Sequence, residues 1–269
     1  MSTRRIAFIG AGQMGGALLK GFLGAGLVRP ENIYVSDVDF ERLKKLKEDF
    51  GVNPVDSNAE AAKSADIVIL SVKPQQVLEV VEEISPHLNE EKIVITIAAG
   101  MTTEKILSRA RKAIRLVRVM PNSPALIGMS ASAVSPSEFA DRDAVDETIA
   151  LFKSVGDAIE LPEEDQNKVT AISGSGPAYF YYLVEALRDA AIRFGLDPQV
   201  ATRLVVKTIA GSAAMLSETG RSPEELRKMV TSPGGTTEAA IRAFEAADFK
   251  NVVWEAVEAA LRRAEELAK

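Results

Sequence analysis

Short apolar runs alternate with amphipathic stretches through the first half of the chain, and then the strand-like runs stop. Ile6-Ala7-Phe8-Ile9, Ile33-Tyr34-Val35-Ser36, Ile67-Val68-Ile69-Leu70-Ser71, Ile93-Val94-Ile95-Thr96-Ile97 and Ile114-Arg115-Leu116-Val117-Arg118-Val119 are rich in β-branched residues and of strand length. Met14 to Leu23, Phe40 to Phe50 and Gln75 to Ile84 have helical spacing between them. Continuous apolar strands separated by helices predict a parallel sheet covered on both faces. Right-handed crossovers then make an α/β, doubly wound (Rossmann-type) domain. Ser130 to Ser135 is a weaker strand, Asp141 to Val155 a helix, and Ala158 to Leu161 a last strand closed by Pro162.

From Glu163 onward only helices are predicted, over Tyr179 to Phe194, Pro198 to Leu216, Ser222 to Met229, Thr237 to Ala246 and Asn251 to Ala268. Ser222-Pro223-Glu224-Glu225 is a helix start, with a serine cap and proline in the first turn. A strand-rich half followed by a helical half predicts two domains, residues 1–162 and 163–269. Leu204 to Leu216 is apolar nearly all round, so it must be surrounded, and a subunit interface is the expected cover.

Composition removes whole classes of chemistry. The 269 residues include no cysteine and one histidine, His87, in a turn sequence. Disulfides, thiolate zinc sites and a cysteine nucleophile are excluded; no metal site is expected, and a histidine triad is disfavoured. The net charge of -6 argues against nucleic acid. The basic start Met1 to Arg5 leads into too short an apolar run for a signal segment, and no run long enough to span a bilayer is expected. A cytoplasmic protein with no membrane or nucleic-acid partner is the reading.

Gly10-Ala11-Gly12-Gln13-Met14-Gly15 directly follows the first strand and opens a helix. That is the context in which Gly-x-Gly-x-x-Gly binds a dinucleotide. Gly10 permits the turn, Gly12 the approach of backbone to a pyrophosphate, and Gly15 close helix–strand packing. The helix start presents free N–H groups to the anion. Asp37 ends the second strand, where a carboxylate accepts a ribose diol and repels a 2′-phosphate. Asp39 competes with it as the cap of the next helix, and Arg42 one turn on is placed to reach a phosphate. The cofactor is therefore NADH or NADPH, with Asp37 leaning to NADH.

Further motifs follow in order: Ser71-Val72-Lys73-Pro74, Ala98-Ala99-Gly100, Arg118-Val119-Met120-Pro121-Asn122, Ala171 to Tyr179 (Ala-Ile-Ser-Gly-Ser-Gly-Pro-Ala-Tyr), and Thr231 to Thr237 (Thr-Ser-Pro-Gly-Gly-Thr-Thr). The series resembles the pyrroline-5-carboxylate reductases over essentially the whole chain. The resemblance implies hydride transfer from a nicotinamide to the C=N carbon of a cyclic imino acid, giving L-proline. It implies that Asn58, Ser71, Val72, Lys73, Pro74, Ala98 and Ala99 line the cofactor. It implies that Ser232, Gly234, Gly235, Thr236 and Thr237 hold the substrate carboxylate and that Thr170 bonds the ring nitrogen. It also implies homodimers through the helical domain, assembled into a larger ring of dimers.

The residues carry part of this independently. Ser232 to Thr237 precedes a helix, and its small residues leave N–H groups for an anion. Ser173 to Pro177 reads as a connector or as a loop closing over the nicotinamide. A threonine hydroxyl is too weak an acid to protonate an imine, so Thr170 is expected to orient the nitrogen. Tyr179 to Tyr182 is expected to pack in the core and interface. Two other readings share the glycine loop: a β-hydroxyacid-type dehydrogenase, whose proton-transferring lysine would be Lys168 or Lys207, and a non-catalytic dinucleotide sensor.

Overall fold

The structure, a computed structural model, describes residues 4–269. Eight strands form one sheet in the order β3-β2-β1-β4-β5-β6-β7-β8. They are β1 (Ile6–Ile9), β2 (Ile33–Ser36), β3 (Asn53–Pro54), β4 (Ile67–Leu70), β5 (Ile93–Thr96), β6 (Arg115–Met120), β7 (Ser130–Pro136) and β8 (Gly156–Glu160). The first six are parallel to their neighbours, as the alternating pattern predicts. β7 departs from it, running antiparallel to β6. The chain between them is a short 3-10 turn, Ser123–Ile127, with no crossover helix. Without a crossover a strand can only return antiparallel.

Alternate residues of each strand feed two apolar layers. Phe8, Val35, Ile69, Ile95 and Val117 face helices α1 (Gln13–Gly24) and α6 (Arg142–Lys153), with Phe22 and Phe152 buried between. Ala7, Ile9, Val68, Leu70, Val94 and Leu116 face α4 (Pro74–Ile84) and α5 (Thr103–Ala110). Helix α2 (Phe40–Phe50) is capped by Asp39, whose side chain accepts the Arg42 N–H. Asp39 is therefore the cap, and Asp37 has another task.

Before Pro162, one strand and two α-helices were not expected. The edge strand β3 is two residues long. Helix α3 (Asn58–Ser64) buries only Ala61 and Ala62, too weak an apolar stripe to detect, although Ser57 caps it through the Glu60 N–H. Helix α5 likewise follows a polar start at Thr102.

The chain divides into two compact units, one running to Ser175 and including Ala260–Lys269, the other Gly176–Ala259. Pro162 ends the strand-bearing part, but the residues after it stay with the sheet. Glu163 accepts the Arg118 guanidinium at 3.1 Å and the Thr103 N–H at 2.7 Å. Gln166, fully buried in the short helix α7 (Gln166–Val169), donates to the Ala133 carbonyl and the Ser135 hydroxyl. Ser173 to Pro177 is no loop. Thr170–Gly174 is a π-helical turn, closed by the Ser175 N–H on the Thr170 carbonyl at 2.8 Å, and Gly176 begins α8. Its glycines and serines suggest a loop by composition; the long-range bonds that hold it helical leave no local mark.

The second unit contains α8 (Gly176–Arg193), α9 (Pro198–Thr219), α10 (Pro223–Met229) and α11 (Thr236–Ala246), and α12 (Phe249–Ala268) starts in it. Ser222 and Glu225 form the reciprocal capping box at the head of α10. This unit has almost no core of its own: Phe180, Tyr182, Leu204, Val206, Val252 and Trp254 are all at least 45% exposed. The aromatic run at Tyr179 to Tyr182 thus exposes Phe180, Tyr181 and Tyr182. One correction concerns α9: at 22 residues it is long and apolar enough, by length and composition, to cross a bilayer, against the expectation of no such run. It carries Arg203 and Lys207 within that length. A helical unit that leaves so many large apolar side chains uncovered needs a second surface against it. Sedimentation of the intact protein is expected to show at least a dimer at micromolar concentration. A Leu204→Glu, Val206→Glu variant should shift toward monomer and melt lower, and a wild type that sediments as a stable monomer would contradict this.

Candidate functional site

The carboxyl ends of β1, β2 and β4 open into a cavity of about 390 Å³ lined by Gly10, Gly12, Ser36, Asp37, Asn58, Ser71, Val72 and Lys73. Most of the expected cofactor residues are thus brought together in one place, at the strand ends where a doubly wound sheet binds its ligands. Ala11 is buried at the turn, Gln13 and Met14 open α1, and Pro74 opens α4. Ala98 and Ala99 follow β5 and do not line this cavity, nor does Thr170.

Each glycine of the loop answers to a different constraint. Gly10 has φ +90°, and a Cβ on it would stand 2.9 Å from the Ser71 backbone. A Cβ on Gly15 would lie 2.5 Å from the Gly10 carbonyl oxygen and 2.8 Å from the Ser71 hydroxyl. Gly12 has nothing within 4 Å of that position. It is the cap of α1 and offers no side-chain bond to the helix amides, so these face open space. The packing glycines are filled by protein, and the ligand-facing one is clear. The residues therefore fit a dinucleotide pyrophosphate.

Asp37 is the most constrained polar group in the cavity. Its carboxylate, 5% exposed, accepts the Ala11 N–H at 2.6 Å, the Asp39 N–H at 2.9 Å and the Arg42 guanidinium at 2.9 and 3.0 Å. Burial pushes its pKa up, but those amides and Arg42 outweigh burial and hold it below the ordinary carboxylate range. Its ionised form, and the bracing that depends on it, therefore persists to lower pH than for an ordinary aspartate and is lost only as pH falls through that depressed range. Arg42 is itself paired with Asp39 at 3.1 Å. Asn58 is fixed between two neighbours, accepting from the Ser36 hydroxyl and donating to Glu83, each at 2.7 Å.

Gln76, Glu79, Val80 and Glu83 also line the cavity, beyond the residues expected from the sequence. They sit at i, i+3, i+4 and i+7 on α4, beside the buried face of Val77, Val81 and Ile84. That second stripe was the signal available. Neither lysine named for a β-hydroxyacid-type reaction lines this cavity: Lys168 is paired with Asp165 at 2.5 Å and 65% exposed, and Lys207 lies on α9. His87 lies in a 3-10 turn, Ser85–His87.

In the helical unit Gly235 caps α11 without a side-chain bond. The Gly234 N–H donates to Glu238 at 2.8 Å and the Gly235 N–H to the Ser232 carbonyl at 3.0 Å. Thr236 and Thr237 occupy the first turn. In the first unit the Thr170 hydroxyl donates to the Gln166 carbonyl at 2.8 Å. Its hydrogen is thereby committed, and its oxygen is left as an acceptor.

The sheet, the glycine cradle and the carboxylate at the end of β2 define a dinucleotide-binding protein of the oxidoreductase class. Residues 5–100 match a family described as NADP oxidoreductase, coenzyme F420-dependent, and residues 163–267 match the pyrroline-5-carboxylate reductase dimerisation family. A pyrroline-5-carboxylate reductase of Pseudomonas aeruginosa is 42% identical over 100% of this chain and 98% of its own. That of Methanosarcina acetivorans is 40% identical over the whole of both chains. Among solved structures, a pyrroline-5-carboxylate reductase from Coxiella burnetii superposes with a TM-score of 0.95 at 38% identity, covering 100% of both chains. A Plasmodium falciparum pyrroline carboxylate reductase with NADP bound gives 0.90 at 32% identity, again over 100% of both. The chain belongs to the pyrroline-5-carboxylate reductase family.

The three glycines separate experimentally. Gly12→Ala is expected to leave the melting temperature within about 2 °C, because its Cβ meets nothing, while weakening reduced-cofactor binding at least tenfold. Gly15→Ala should lose about 1–3 kcal/mol of stability from overpacking as well. Equal melting losses for the two variants would contradict this division.

Proposed function

We propose that this chain reduces 1-pyrroline-5-carboxylate to L-proline, the last step of proline synthesis, with NADH or NADPH as the source of reducing equivalents. The observation that carries the reading is the glycine cradle, filled by protein at Gly10 and Gly15 and clear at Gly12, in a chain whose reductase relatives match it end to end. When bound, the reduced nicotinamide supplies the hydride, and what the protein adds is alignment.

In this reading the first turn of α1, with Gly10 to Gly15, holds the pyrophosphate. Asp37 and Asn58 address the adenosine end, and Ser71, Val72, Lys73, Pro74, Ala98 and Ala99 track the cofactor along the strand ends. Ser232, Gly234, Gly235, Thr236 and Thr237 surround the substrate carboxylate, whose charge suits a helix start. The Gly234 and Gly235 amides are engaged by Glu238 and the Ser232 carbonyl, so the donors come from Thr236 and Thr237 in the first turn of α11. Thr170 orients the ring nitrogen. Because its hydroxyl hydrogen is given to the Gln166 carbonyl, its oxygen suits a protonated C=N–H as hydrogen-bond donor. The proton therefore arrives with the substrate or through water, and Thr170 keeps it pointed.

We also read the cofactor preference as NADH at least equal to NADPH. The family match and the NADP-bound relative point the other way. Against them stands local charge: Asp37, Glu79 and Glu83 line the cavity against two cations, Arg42 and Lys73, and Arg42 is already engaged by Asp37 and Asp39. A 2′-phosphate would meet carboxylates there. The 163–269 region serves in this reading as substrate-binding and dimerisation domain, and dimers associate into a larger ring. A cytoplasmic setting is in keeping with a chain that has no cysteine.

Steady-state oxidation of NADH and NADPH with pyrroline-5-carboxylate tests the reading. NADH should give a kcat/KM at least equal to that of NADPH; a tenfold NADPH preference would remove the charge argument. Thr170→Ala should lower kcat/KM for the imine about tenfold to thirtyfold, the worth of one hydrogen bond to a charged group (about 1.5–2 kcal/mol). The loss should be the same at every pH, since Thr170 is not the acid. Near-normal kcat/KM in Thr170→Ala would remove its role.

A further inference from the structure

The turn after β6 contains Asn122, buried at 9% exposure, to which the proposed reaction assigns nothing. Both ends of its side-chain amide are used. The oxygen accepts the Ser130 hydroxyl at 3.2 Å and the Ala131 N–H at 3.0 Å, which ties it to the start of β7. The nitrogen donates to the Ser173 carbonyl at 3.1 Å and the Ser173 hydroxyl oxygen at 3.3 Å. That hydroxyl donates onward to the Ala131 carbonyl at 3.0 Å.

Ser173 lies inside the π turn Thr170–Gly174, three residues after Thr170. A π turn is rare and concentrates at functional sites, and an unfavourable backbone persists only where its surroundings over-determine it. Here the surroundings are identifiable. Gly174 has no side chain where the Met120 methyl group stands, since a Cβ there would be 2.7 Å from it. Asn122 then fastens the next residue back along the turn. The sheet end and the turn are joined through one amide group.

We propose that Asn122 is a positioning residue: it holds the π turn against the β6–β7 connection and so fixes the direction in which Thr170 offers its oxygen. This rests on the reading of Thr170 as the residue that orients the imine nitrogen. An asparagine that merely satisfied its own turn would need the bonds to Ser130 and Ala131 alone; the two donated to Ser173 are what a positioning role adds.

Asn122→Asp keeps the size and the acceptor side but cannot donate to Ser173 when ionised. Hydrogen exchange of the Ser175 amide, which closes the π turn, reads the tie directly, and kinetics read its consequence. The expected result is Ser175 exchange at least tenfold faster, kcat with pyrroline-5-carboxylate at least tenfold lower, and a Kd for reduced cofactor within twofold of wild type. Combining it with Thr170→Ala should cost no more than twofold beyond Thr170→Ala alone, because one role is lost once. Unchanged Ser175 exchange would overturn the proposal, as would losses that multiply in the double variant. If wild type does not turn over the imine, the substrate reading fails, while Ser175 exchange still decides whether Asn122 holds the turn. Ser173→Ala, which removes one of the two acceptors, serves if Asn122→Asp does not fold; it should accelerate Ser175 exchange twofold to fivefold, and no acceleration would overturn the proposal.

Discussion

The carboxylate of Asp37 accepts the N–H of Ala11 at 2.6 Å from a position only 5% exposed, and the cofactor cradle is built around that bond. It joins the end of β2 to the glycine turn after β1, 26 residues earlier. A buried carboxylate is costly unless its lone pairs are used, and here two amides and one guanidinium use them. Hydrogen bonds to a charged group are worth about 1.5–3 kcal/mol each, enough to set a loop with little packing of its own. With the Ala11 amide fixed, Gly10 can turn at positive φ against Ser71, and α1 can start at Gly12 with its amides free. The carboxylate of Asp37 is thus first a brace for the glycine turn.

The same economy recurs where the chain leaves the sheet. The residues from Glu163 to Ser175 are helical but belong to the sheet, pinned by Arg118 to Glu163 and by Gln166 to Ser135. They carry Thr170, so the group proposed to meet the imine nitrogen is mounted on the rigid unit. The helical unit is built differently. Its apolar residues, such as Leu204, Val206 and Trp254, are left for another surface to cover, in keeping with the dimerisation family that spans it. One unit is folded by its own core, and the other depends on association.

What could be read from the chain follows from how local each signal is. β1 and β2 begin and end where their β-branched runs do, because a buried parallel strand needs no partner-specific pattern. The glycine loop was legible for the same reason. β3 exists only through its pairing with β2, and the reversal of β7 is a property of a connection. The π turn has the composition of a connector or a loop, since the contacts that hold it come from Asn122 and Met120, about fifty residues away. The position of Asp37 after β2 follows from the strand's own pattern, but its bond to Ala11 leaves no local mark. The acidic stripe on α4 was present at helical spacing and simply masked by the stronger apolar one.

Transfer of a labelled hydride tests the central claim most directly, because it follows the reacting atom itself. Pyrroline-5-carboxylate reduced with NADH carrying deuterium at both positions of the nicotinamide C4 should yield L-proline with one deuterium, at the ring carbon that was doubly bonded to nitrogen. Proline without label, or no proline while cofactor is bound, would contradict the account.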